Sequence, residues 1–588
     1  MKTGQMLFPP AANRAEWKHA LKQPWNRGYR KYILQEAKRI QSEDIPPLPA
    51  HLYMEFVRNG NRTHYEQPYF LRRQNLNTLI LAEAIEYRGR FLDRIIDYIW
   101  EITAEHTWCV PAHVPRGNDP LPFLEHECID LFAAETGMLL SQALNLLEPE
   151  LKEVSPNLVK MLRQTLLERI IEPLETQTFW WQEGRNNWTP WVSSNCLGVI
   201  LTVLADDPAR RKKMIELLSK SVDQYIRKYS EDGGCDEGPT YWQVSPAVML
   251  FFFEQLQTWP DNPKIKKMGE YITDAYLGDG YLAAFADAKT NSDFIHWASC
   301  RRYGERVDSP AMKALAMELF DRKKETPVIS RDIVLNLAAI FWGPGPAISR
   351  KSTANTISWY EHTQLLFVKN EGLTLAAKGG HNQENHNHID VGQFIIFYQN
   401  KPVIVDLGCS EYTKETFSEK RYENWLINAD AHNMPQFNGM KQQPGLEYRA
   451  GNVKFTRTSK TCVLEMDLAP AYPAETGLKK CIRTIVFNLS EQSVMIRDAW
   501  ELKGDGNTVT LALHTPAEVS SRSEVWEVGN MNVQIVSNGA EVSCRKILLN
   551  DAFQRKAWGR SINRLTIAAH SGAKGEYELK FTPRKRNR

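Results

Sequence analysis

The first part of the chain has the periodicity of amphipathic helices. From about Ala15 to Trp342, hydrophobic residues recur every three or four positions. The pattern is clearest over Leu79–Trp100, Ile129–Leu147, Leu158–Leu174, Lys213–Tyr229 and Val244–Trp259. Loops rich in Pro, Gly, Asn and Asp separate these segments and favour antiparallel helical hairpins. The pattern predicts an all-helical half, either an α/α toroid or a helical solenoid, and no repeated motif separates the two.

The pattern changes near residues 341–346, where two Gly-Pro steps interrupt the helical spacing. Short runs of alternating, β-branched and aromatic residues follow. Strands are predicted at Thr363–Val368, Gln393–Tyr398, Pro402–Val405, Cys462–Met466, Thr484–Phe487, Val494–Arg497, Thr508–Leu513 and Leu565–Ala569. We therefore expect an α+β multidomain protein, with a helical domain over residues 1–345 and an antiparallel β-sandwich over residues 346–588.

Composition excludes several classes of protein. A chain of 588 residues with 43% hydrophobic residues is long enough for two large cores. The 72 basic and 70 acidic residues give a net charge of only +2, which argues against a general nucleic-acid binder. Nine scattered cysteines without a CxxC pair indicate neither a disulfide framework nor a thiolate zinc site. No signal peptide or membrane-spanning stretch is recognised, so we expect a cytoplasmic protein without a membrane partner.

Histidine and aspartate cluster at three places in the C-terminal half. These are His386-Asn387-His388, the Asp406 turn and the His432-Asn433 pair. In an extended segment, residues 386 and 388 point to the same face. His388, Asp406 and His432 together form a nitrogen and oxygen donor set that suits zinc or another divalent ion of the first transition row. Scattered histidines that only fill the core remain an equal alternative at this level.

A longer motif surrounds these residues and resembles the heparinase II/III family of polysaccharide lyases. It runs through Gly379–Phe394 and continues with Asp406-Leu407-Gly408, Tyr412-Thr413, Phe417, Arg421-Tyr422, Trp425 and His432-Asn433. The resemblance implies an N-terminal (α/α) toroid followed by a C-terminal β-sandwich. That architecture agrees with the two periodicities.

The resemblance also implies a metal site in the C-terminal half. His388, Asp406 and His432 would hold one divalent ion, zinc first, with manganese and calcium as alternatives. This ion would be structural and would fix the loop that presents His386 and Tyr422. His386 would face the substrate and could act as a base.

The helical half supplies the other implied site residues. Tyr241, in the loop Asp232–Trp242, matches the family's catalytic tyrosine, although a core anchor is the alternative. Asn195 is the better match and Asn187 the reserve for the asparagine that contacts the uronate carboxyl group, although Asn195 could be a helix cap. Cys196 stands where several relatives have a histidine, so charge neutralisation by a neighbouring imidazole is in doubt. The candidate substrate contacts are Asn187, Trp242, Glu237, His113 and Arg421, and a structural role is the alternative for His113 and Arg421.

These residue types suit β-elimination from a uronic acid. The C5 proton leaves only if the adjacent carboxylate is neutralised, which a placed amide such as that of Asn195 can do. Tyrosine can act as acid or base if its pKa is depressed. Tyr241 would protonate the leaving O4. When the C5 proton and O4 lie on the same face of the sugar ring, Tyr241 would also remove the C5 proton. In the opposite geometry His386 or Tyr422 would be the base.

The expected function is a lyase acting on acidic polysaccharides or oligosaccharides, with glycosaminoglycans such as heparan, chondroitin or hyaluronan first and alginate-type oligouronides second. A uronyl C5-epimerase and a non-catalytic carbohydrate-binding protein remain alternatives. A glycoside hydrolase that uses Asp232 and Glu237 is a further alternative, against which the metal motif counts. The sequence predicts no oligomeric state.

Overall fold

The structure, a computed structural model, describes residues 4–114, 119–122, 127–346, 355–522, 525–537 and 539–584. The helices of the first half are α1 (Arg14–Leu21), α2 (Asn26–Gln41), α3 (Ala50–Arg58), α4 (Thr63–Glu86), α5 (Leu92–Thr103), α6 (Leu131–Val154), α7 (Pro156–Leu166), α8 (Glu172–Thr176), α9 (Trp188–Val203), α10 (Pro208–Lys228), α11 (Pro246–Leu256), α12 (Pro263–Ala275), α13 (Trp297–Arg306), α14 (Pro310–Lys323) and α15 (Ile333–Trp342). None of the described helices is long and apolar enough to cross a membrane.

Several helices begin at a polar cap followed directly by proline. The side chains of Ser155, Asp207, Asn262 and Ser309 each accept a hydrogen bond from a backbone N–H in the first turn of α7, α10, α12 and α14. Proline at the first helical position has no N–H that would need a partner, so this pairing of cap and proline fixes where each helix begins.

The prediction of one helix over Leu79–Trp100 is wrong. Helix α4 ends at Glu86 because Tyr87 adopts the left-handed conformation (φ 54°), and α5 begins only at Leu92. Backbone N–H groups of Arg88, Gly89 and Phe91 donate to the buried carboxylate of Glu83, which stabilises the turn. The spacing of hydrophobic residues does not reveal this break. The turn is stabilised by the carboxylate of Glu83, which lies among the hydrophobic residues of α4.

The strands of the second half are antiparallel. Two short strands, β1 (Tyr276–Gly278) and β2 (Tyr281–Leu282), pair within the helical half. The others are β3 (Thr356–Tyr360), β4 (Leu365–Asn370), β5 (Leu373–Lys378), β6 (His381–Asn382), β7 (Phe394–Tyr398), β8 (Lys401–Ile404), β9 (Pro435–Phe437), β10 (Gly445–Arg449), β11 (Gly451–Arg457), β12 (Thr461–Asp467), β13 (Leu478–Asn488), β14 (Ser493–Leu502), β15 (Asn507–Thr515), β16 (Val519–Arg522), β17 (Val525–Val528), β18 (Met531–Ser537), β19 (Glu541–Leu548), β20 (Ser561–Ser571) and β21 (Lys574–Pro583).

These strands form three main sheets that stack as a sandwich. The eight-stranded sheet has the order β11-β12-β13-β14-β21-β18-β17-β16, the four-stranded sheet β19-β20-β15-β9 and the five-stranded sheet β3-β4-β5-β7-β8. Val405, just after β8, donates its N–H to the carbonyl of His514 in β15 (2.9 Å), so the two smaller sheets adjoin. One unpredicted helix, α16 (Ala552–Trp558), lies in this half.

The five-stranded sheet is buried on both faces. One face packs into the core of the helical half through Leu365, Phe367, Ala376, Ile395 and Phe397. The other face packs into the sandwich core through Leu366, Val368, Leu375, Ala377, Phe394 and Ile396. Burial on both faces explains why these strands are continuously hydrophobic, whereas β13 alternates between buried and half-exposed positions. The two halves therefore share a sheet as a packed interface.

The order of helices followed by antiparallel sheets is as predicted. Helix α15 ends at Trp342 and β3 begins at Thr356. Residues 347–354 lie outside the described residues. We keep the division after residue 345 as a proposal, which the change from helices to strands supports.

Candidate active site between the two halves

The site is centred on two segments with left-handed backbone, one from each half. His386 has φ 55° and Ala286 has φ 57°, a conformation that side chains other than glycine rarely adopt. The N–H of Asp287, next to Ala286, donates to the carbonyl of His386 (3.1 Å) and joins the segments. Such strained backbone is retained only where the surrounding structure enforces it, and it concentrates at functional sites.

The carboxylate of Asp287 is the hub of the site. One oxygen contacts Nδ1 of His386 (3.0 Å) and the hydroxyl of Tyr412 (3.0 Å). The other contacts Nε2 of His388 (3.1 Å) and the guanidinium of Arg421 (2.9 Å). Burial would raise the pKa of Asp287, but hydrogen bonds from both histidines and the charge of Arg421 hold it well below its ordinary value. Asp287 is therefore a permanent anion that orients both histidines.

Tyr241 reaches this hub from the helical half. It begins a 3₁₀ turn (Tyr241–Val244) and stacks on the ring of His386, with centroids 4.2 Å apart. Its hydroxyl lies 3.2 Å from Nδ1 of His386 and 2.7 Å from the hydroxyl of Tyr412. The preceding loop requires Gly238 (φ 91°), because a Cβ there would lie 2.3 Å from the carbonyl oxygen of Phe285. The structure thus brings two predicted catalytic residues, Tyr241 and His386, into contact.

The condition under which a tyrosine could act as the base, a depressed pKa, is not met. Burial raises the pKa of Tyr241 well above its ordinary value, and the same cause raises that of Tyr412. The negative charge of Asp287 acts in the same direction for both. Both phenols are consequently neutral and can donate a proton, whereas neither is a ready base.

Glu237 and Asn187 form the wall next to His386. Glu237 is 4% exposed, accepts the backbone N–H of Asn187 (3.2 Å) and has its second oxygen 4.0 Å from Nε2 of His386. That oxygen and the side-chain oxygen of Asn187 are buried without a hydrogen-bond partner. Burial raises the pKa of Glu237 to about 7. Two buried oxygens without a hydrogen-bond partner thus lie in this wall, and that of Glu237 is next to His386.

The structure does not bring Asn195 to this cluster. Its amide donates to the carbonyl of Trp191 one turn earlier in α9 (2.9 Å). Asn195 lies eight residues after Asn187, which is about 12 Å along a helix. Asn187, the reserve candidate at the start of α9, lies next to Glu237 at the cluster. Cys196, which stands where several relatives have a histidine, follows Asn195 and therefore bears on a residue outside the cluster.

The predicted metal ligands form one buried cluster. Ligand atoms of His388, Asp406 and His432 lie within 4.8 Å of one another. Nδ1 of His388 and Nε2 of His432 are buried and have no hydrogen-bond partner. Burial would raise the pKa of Asp406, but His432 lowers it to about 2. Unpartnered imidazole nitrogens beside an ionised carboxylate fit a divalent cation, so the residues present suit a metal site.

Tyr422 and Arg421 hold the loop between these two clusters. The hydroxyl of Tyr422 accepts from the amide of Asn387 (3.2 Å), and its ring packs against a small cluster that includes Ile389 and Met434. Arg421 donates to Asp287 and twice to the carbonyl of Asn387 (2.8 and 3.1 Å). These contacts favour positioning roles for Arg421 and Tyr422 over a role of Tyr422 as the base.

Two predicted substrate contacts are structural in this conformation. Trp242 is fully buried in the helical core, where its indole donates to the carbonyl of Met268 (3.0 Å), so the prediction of substrate contact there is wrong. His113 contacts Asp130 (2.8 Å), which caps α6, and its ring packs on Trp188.

Asp232 is the partner of Glu237 in the alternative of a glycoside hydrolase, and its carboxylate is also engaged in structural hydrogen bonds. Its two oxygens accept from Ser230, Gly234, His362 and Thr363. A carboxylate with four donors already bound is poorly suited to act as acid or base, so the structure does not favour a hydrolytic pair.

Sequence reasoning missed Asp287 and gave Tyr412 no role. Tyr412 stands inside the family-like motif, so the signal was present. Asp287 follows an ordinary run of hydrophobic residues, Ala283–Ala286, and no spacing relates it to His386. Only the fold brings it there.

An open cavity of about 450 Å³ between the two halves adjoins the cluster. The helical half contributes residues around Arg185, Lys228 and Glu237, and the sandwich contributes residues around His381 and Arg449. Glu237 and Asn385, which neighbour His386, line this cavity, so a chain-like ligand that binds along the domain boundary would lie next to the cluster.

Comparison with known proteins agrees with this architecture. Residues 365–574 match the family model described as Heparinase II/III-like, C-terminal. A crystal structure of heparinase III superposes with a TM-score of 0.63 at 13% identity and covers 99% of this chain and 93% of that chain. A second heparinase III structure superposes with a TM-score of 0.62 at 13% identity and covers 97% of this chain and 93% of that chain. No curated protein matches the chain by sequence.

A heparan sulfate lyase, HepC from Pedobacter heparinus, is also similar in structure. It superposes with a TM-score of 0.58 at 11% identity and covers 97% of this chain and 93% of that chain. At sequence identities this low, structural similarity is evidence of a shared fold alone. The resemblance seen in the sequence is confirmed over residues 365–574, and the fold class, an N-terminal (α/α) toroid followed by an antiparallel β-sandwich, is confirmed over the whole chain.

Proposed function

We propose that this protein is a polysaccharide lyase that cleaves uronic-acid-containing chains by β-elimination. The observation that carries the proposal is the contact of Tyr241 with His386 across the domain boundary, where Asp287 holds the other side of the imidazole's Nδ1 environment through its own hydrogen bond to His386. A neutral phenol beside an oriented imidazole provides an acid and a base without a hydrolytic water.

His386 is the proposed base. Asp287 accepts from Nδ1, so the neutral ring carries its proton there and leaves Nε2 with a free lone pair. Nε2 faces the wall formed by Glu237, where the uronate would lie. Removal of the C5 proton by Nε2 gives an imidazolium that Asp287 stabilises, as aspartate does in other catalytic dyads.

Asn187 and Glu237 are proposed to neutralise the uronate carboxylate. Asn187 would donate from its side-chain NH2 group, and its Oδ1 has no hydrogen-bond partner among the described residues. Glu237, with its pKa near 7, can hold a proton and donate it in a hydrogen bond. Donors placed in advance stabilise the charge that develops on the carboxyl group when C5 loses its proton.

Tyr241 is the proposed acid for the leaving O4, and Tyr412 is within reach to replace the proton. Because the rings of Tyr241 and His386 are stacked, acid and base approach the sugar from the same side. That arrangement suits elimination in which the C5 proton and O4 leave from one face, as they do in glucuronate.

His388, Asp406 and His432 are proposed to hold one zinc ion, with manganese or calcium as alternatives. When bound, the ion would supply a fixed positive centre that orders the ligand loop. The contact of His388 with Asp287 then links this order to the hub that orients His386.

The proposed substrates are glycosaminoglycan chains or oligosaccharides, with alginate-type oligouronides second. The match of residues 365–574 and the similarity to heparinase III and a heparan sulfate lyase support the first choice. The cavity between the halves has basic residues at its rim, including Arg185 and Arg449, which suits an acidic chain.

The test is incubation with heparan, chondroitin, hyaluronan and alginate fragments, followed by ultraviolet absorbance of the unsaturated uronate and product masses. We expect absorbance with at least one glycosaminoglycan and a preference for glucuronate over iduronate at the cleaved bond. Absence of unsaturated product from all four would contradict the proposal.

A further inference from the structure

A second cavity lies between the two halves, on the other side of the catalytic tyrosine turn. Its volume is about 210 Å³. The helical half contributes Lys289, Thr290, Asn291, Asp293 and Phe294, and the sandwich half contributes Leu407, Cys409, Phe553 and Lys556.

The ammonium group of Lys289 is the unusual feature of this cavity. It lies 5.4 Å from the ring centroid of Phe294 and 4.8 Å from that of Phe553. Among the described residues, no carboxylate lies within ion-pair distance of it, and burial lowers its pKa. Aromatic faces stabilise a cation, but they do not replace an anionic partner.

The carboxylate in the cavity wall does not serve Lys289. Asp293 is paired with Lys556 at 2.9 Å, and both side chains are more than half exposed. The described lining residues thus carry two positive charges and one negative charge, which leaves the partly buried ammonium group of Lys289 without an anionic partner. An anionic ligand would supply that charge.

The cavity adjoins the acid and base pair through the backbone. The N–H of Lys289 donates to the hydroxyl of Thr240 (2.7 Å), the residue before Tyr241. On the opposite wall, Cys409 lies three residues before Tyr412 and donates its N–H to the carbonyl of Ala288 (3.0 Å). The wall of this cavity is therefore held to the turn that carries Tyr241 and to the segment that carries Tyr412.

We propose that Lys289 binds an acidic substituent, carboxylate or sulfate, on the sugar unit next to the cleaved bond. This inference rests on the proposed lyase function and adds a residue that determines which charged chains are accepted. Lys289 would contact substrate away from the reacting atoms, so its contribution is to binding and not to proton transfer.

The test compares Lys289→Met with Lys556→Met, which removes an equal charge from the rim of the same cavity. On an active oligosaccharide, Lys289→Met should raise KM at least about tenfold with kcat within about threefold, because the acidic substituent of the ligand loses its charged partner. Lys556→Met should change KM less than about twofold, since an exposed pair contributes little. An equal rise in both variants, or none in Lys289→Met, would overturn the proposal.

Lys289→Arg keeps the charge between the two rings and should retain affinity, which separates loss of charge from loss of fold. Circular dichroism checks each variant, and Lys289→Gln replaces the methionine variant if the latter does not fold. Sulfated and desulfated versions of one oligosaccharide distinguish the substituents. A larger effect of Lys289→Met on the sulfated version identifies sulfate, and an equal effect on both identifies the carboxylate.

Calorimetric binding of a short sulfated heparan oligosaccharide to Tyr241→Phe, with and without Lys289→Met, tests the site without turnover. A tenfold weaker affinity in the double variant supports the inference even if wild-type protein yields no unsaturated product, in which case only the lyase proposal fails. Equal affinity in the two proteins would overturn the inference while leaving the lyase proposal standing.

Discussion

At the scale of single residues, one aspartate joins two histidines of different function. Asp287 contacts His386, the proposed base, and His388, a proposed metal ligand, through its two oxygens. The shared carboxylate explains how a metal cluster away from the reacting atoms can affect the orientation of the base.

Replacement of the hub should reduce turnover without disrupting the fold. In Asp287→Asn the amide can present a donor where His386 needs an acceptor, which favours the wrong tautomer. We expect kcat to fall at least about 100-fold and KM to change less than about threefold at saturating metal. Asp274→Asn is the control, because Asp274 is also buried but binds Tyr360 away from the site. Equal kcat in Asp287→Asn and wild type would remove Asp287 from the mechanism.

The proposed acid can be distinguished from the other candidate tyrosine. Tyr241→Phe should lower kcat by about 10²- to 10⁴-fold, the range for loss of general acid catalysis, with an unchanged Tm. Tyr422→Phe should change kcat less than about threefold, because its hydroxyl contacts Asn387 and not the catalytic pair. The reverse order of effects would restore Tyr422 as a catalytic residue.

Glu237 predicts a pH-dependent stability. Its pKa is raised from 4.5 to about 7 by burial, so the folded protein keeps a proton that the unfolded chain releases. The contribution of this group to folding stability therefore falls as pH rises from about 4.5 to 7. Glu237→Gln removes the penalty and should stabilise the protein, relative to wild type, by on the order of 2–3 kcal/mol more at pH 8 than at pH 4.5.

Denaturant unfolding at the two pH values measures this difference, and the exposed Glu419→Gln is the control. An equal difference between Glu237→Gln and wild type at both pH values would show that Glu237 titrates normally.

The sequence predicted some of these residues and missed others for physical reasons. His386, His388, Asp406 and His432 lie in a contiguous motif, where spacing alone restricts geometry. The choice between Asn187 and Asn195 depends on where α9 begins, and helix starts are poorly determined by periodicity. Asp287 comes from a different half of the chain, so no local pattern relates it to the histidines.

At the scale of elements, a buried ion triad holds the loop that carries both histidines. Lys378, at the end of β5, contacts Asp390 (2.7 Å) and Glu384 (2.8 Å), one on each side of His386 and His388. The loop is thus held on both sides of the histidine pair, which enforces the left-handed backbone at His386.

Loss of a metal ligand should loosen this element. His388→Ala or Asp406→Ala should lower both bound metal and Tm, because the orphaned buried groups of the remaining ligands stay uncompensated. Elemental analysis and thermal unfolding measure the two effects, and the exposed His362→Ala is the matched control. A wild-type protein that is metal-free and keeps its Tm in chelator would refute the site.

At the scale of the whole molecule, the shared five-stranded sheet makes the two halves one structural unit. Its two faces belong to different hydrophobic cores, so the residues that link the halves are as buried as either core. The sequence predicted three strands of this sheet, β4, β7 and β8, but neither β3 nor β5, and it did not predict the role of the sheet. A continuous hydrophobic strand indicates burial on both faces without saying what covers each face.

This sharing predicts cooperative unfolding. Phe397→Ala, on the face that packs into the helical half, should destabilise the protein by about 3–5 kcal/mol and lower the temperature of a single transition that includes both halves. Calorimetry detects the transition, and Val536→Ala, 55% exposed on β18, should have little effect. Two separated transitions in wild-type protein would contradict the account of the interface.

The central claim is elimination between the two halves, and cleavage in ¹⁸O-labelled water tests it most directly. β-Elimination uses no water, so we predict products with no incorporated ¹⁸O and one unsaturated uronate end for each bond cleaved. Incorporation of ¹⁸O at the new ends, without the absorbance of an unsaturated uronate, would identify a hydrolase and contradict the account.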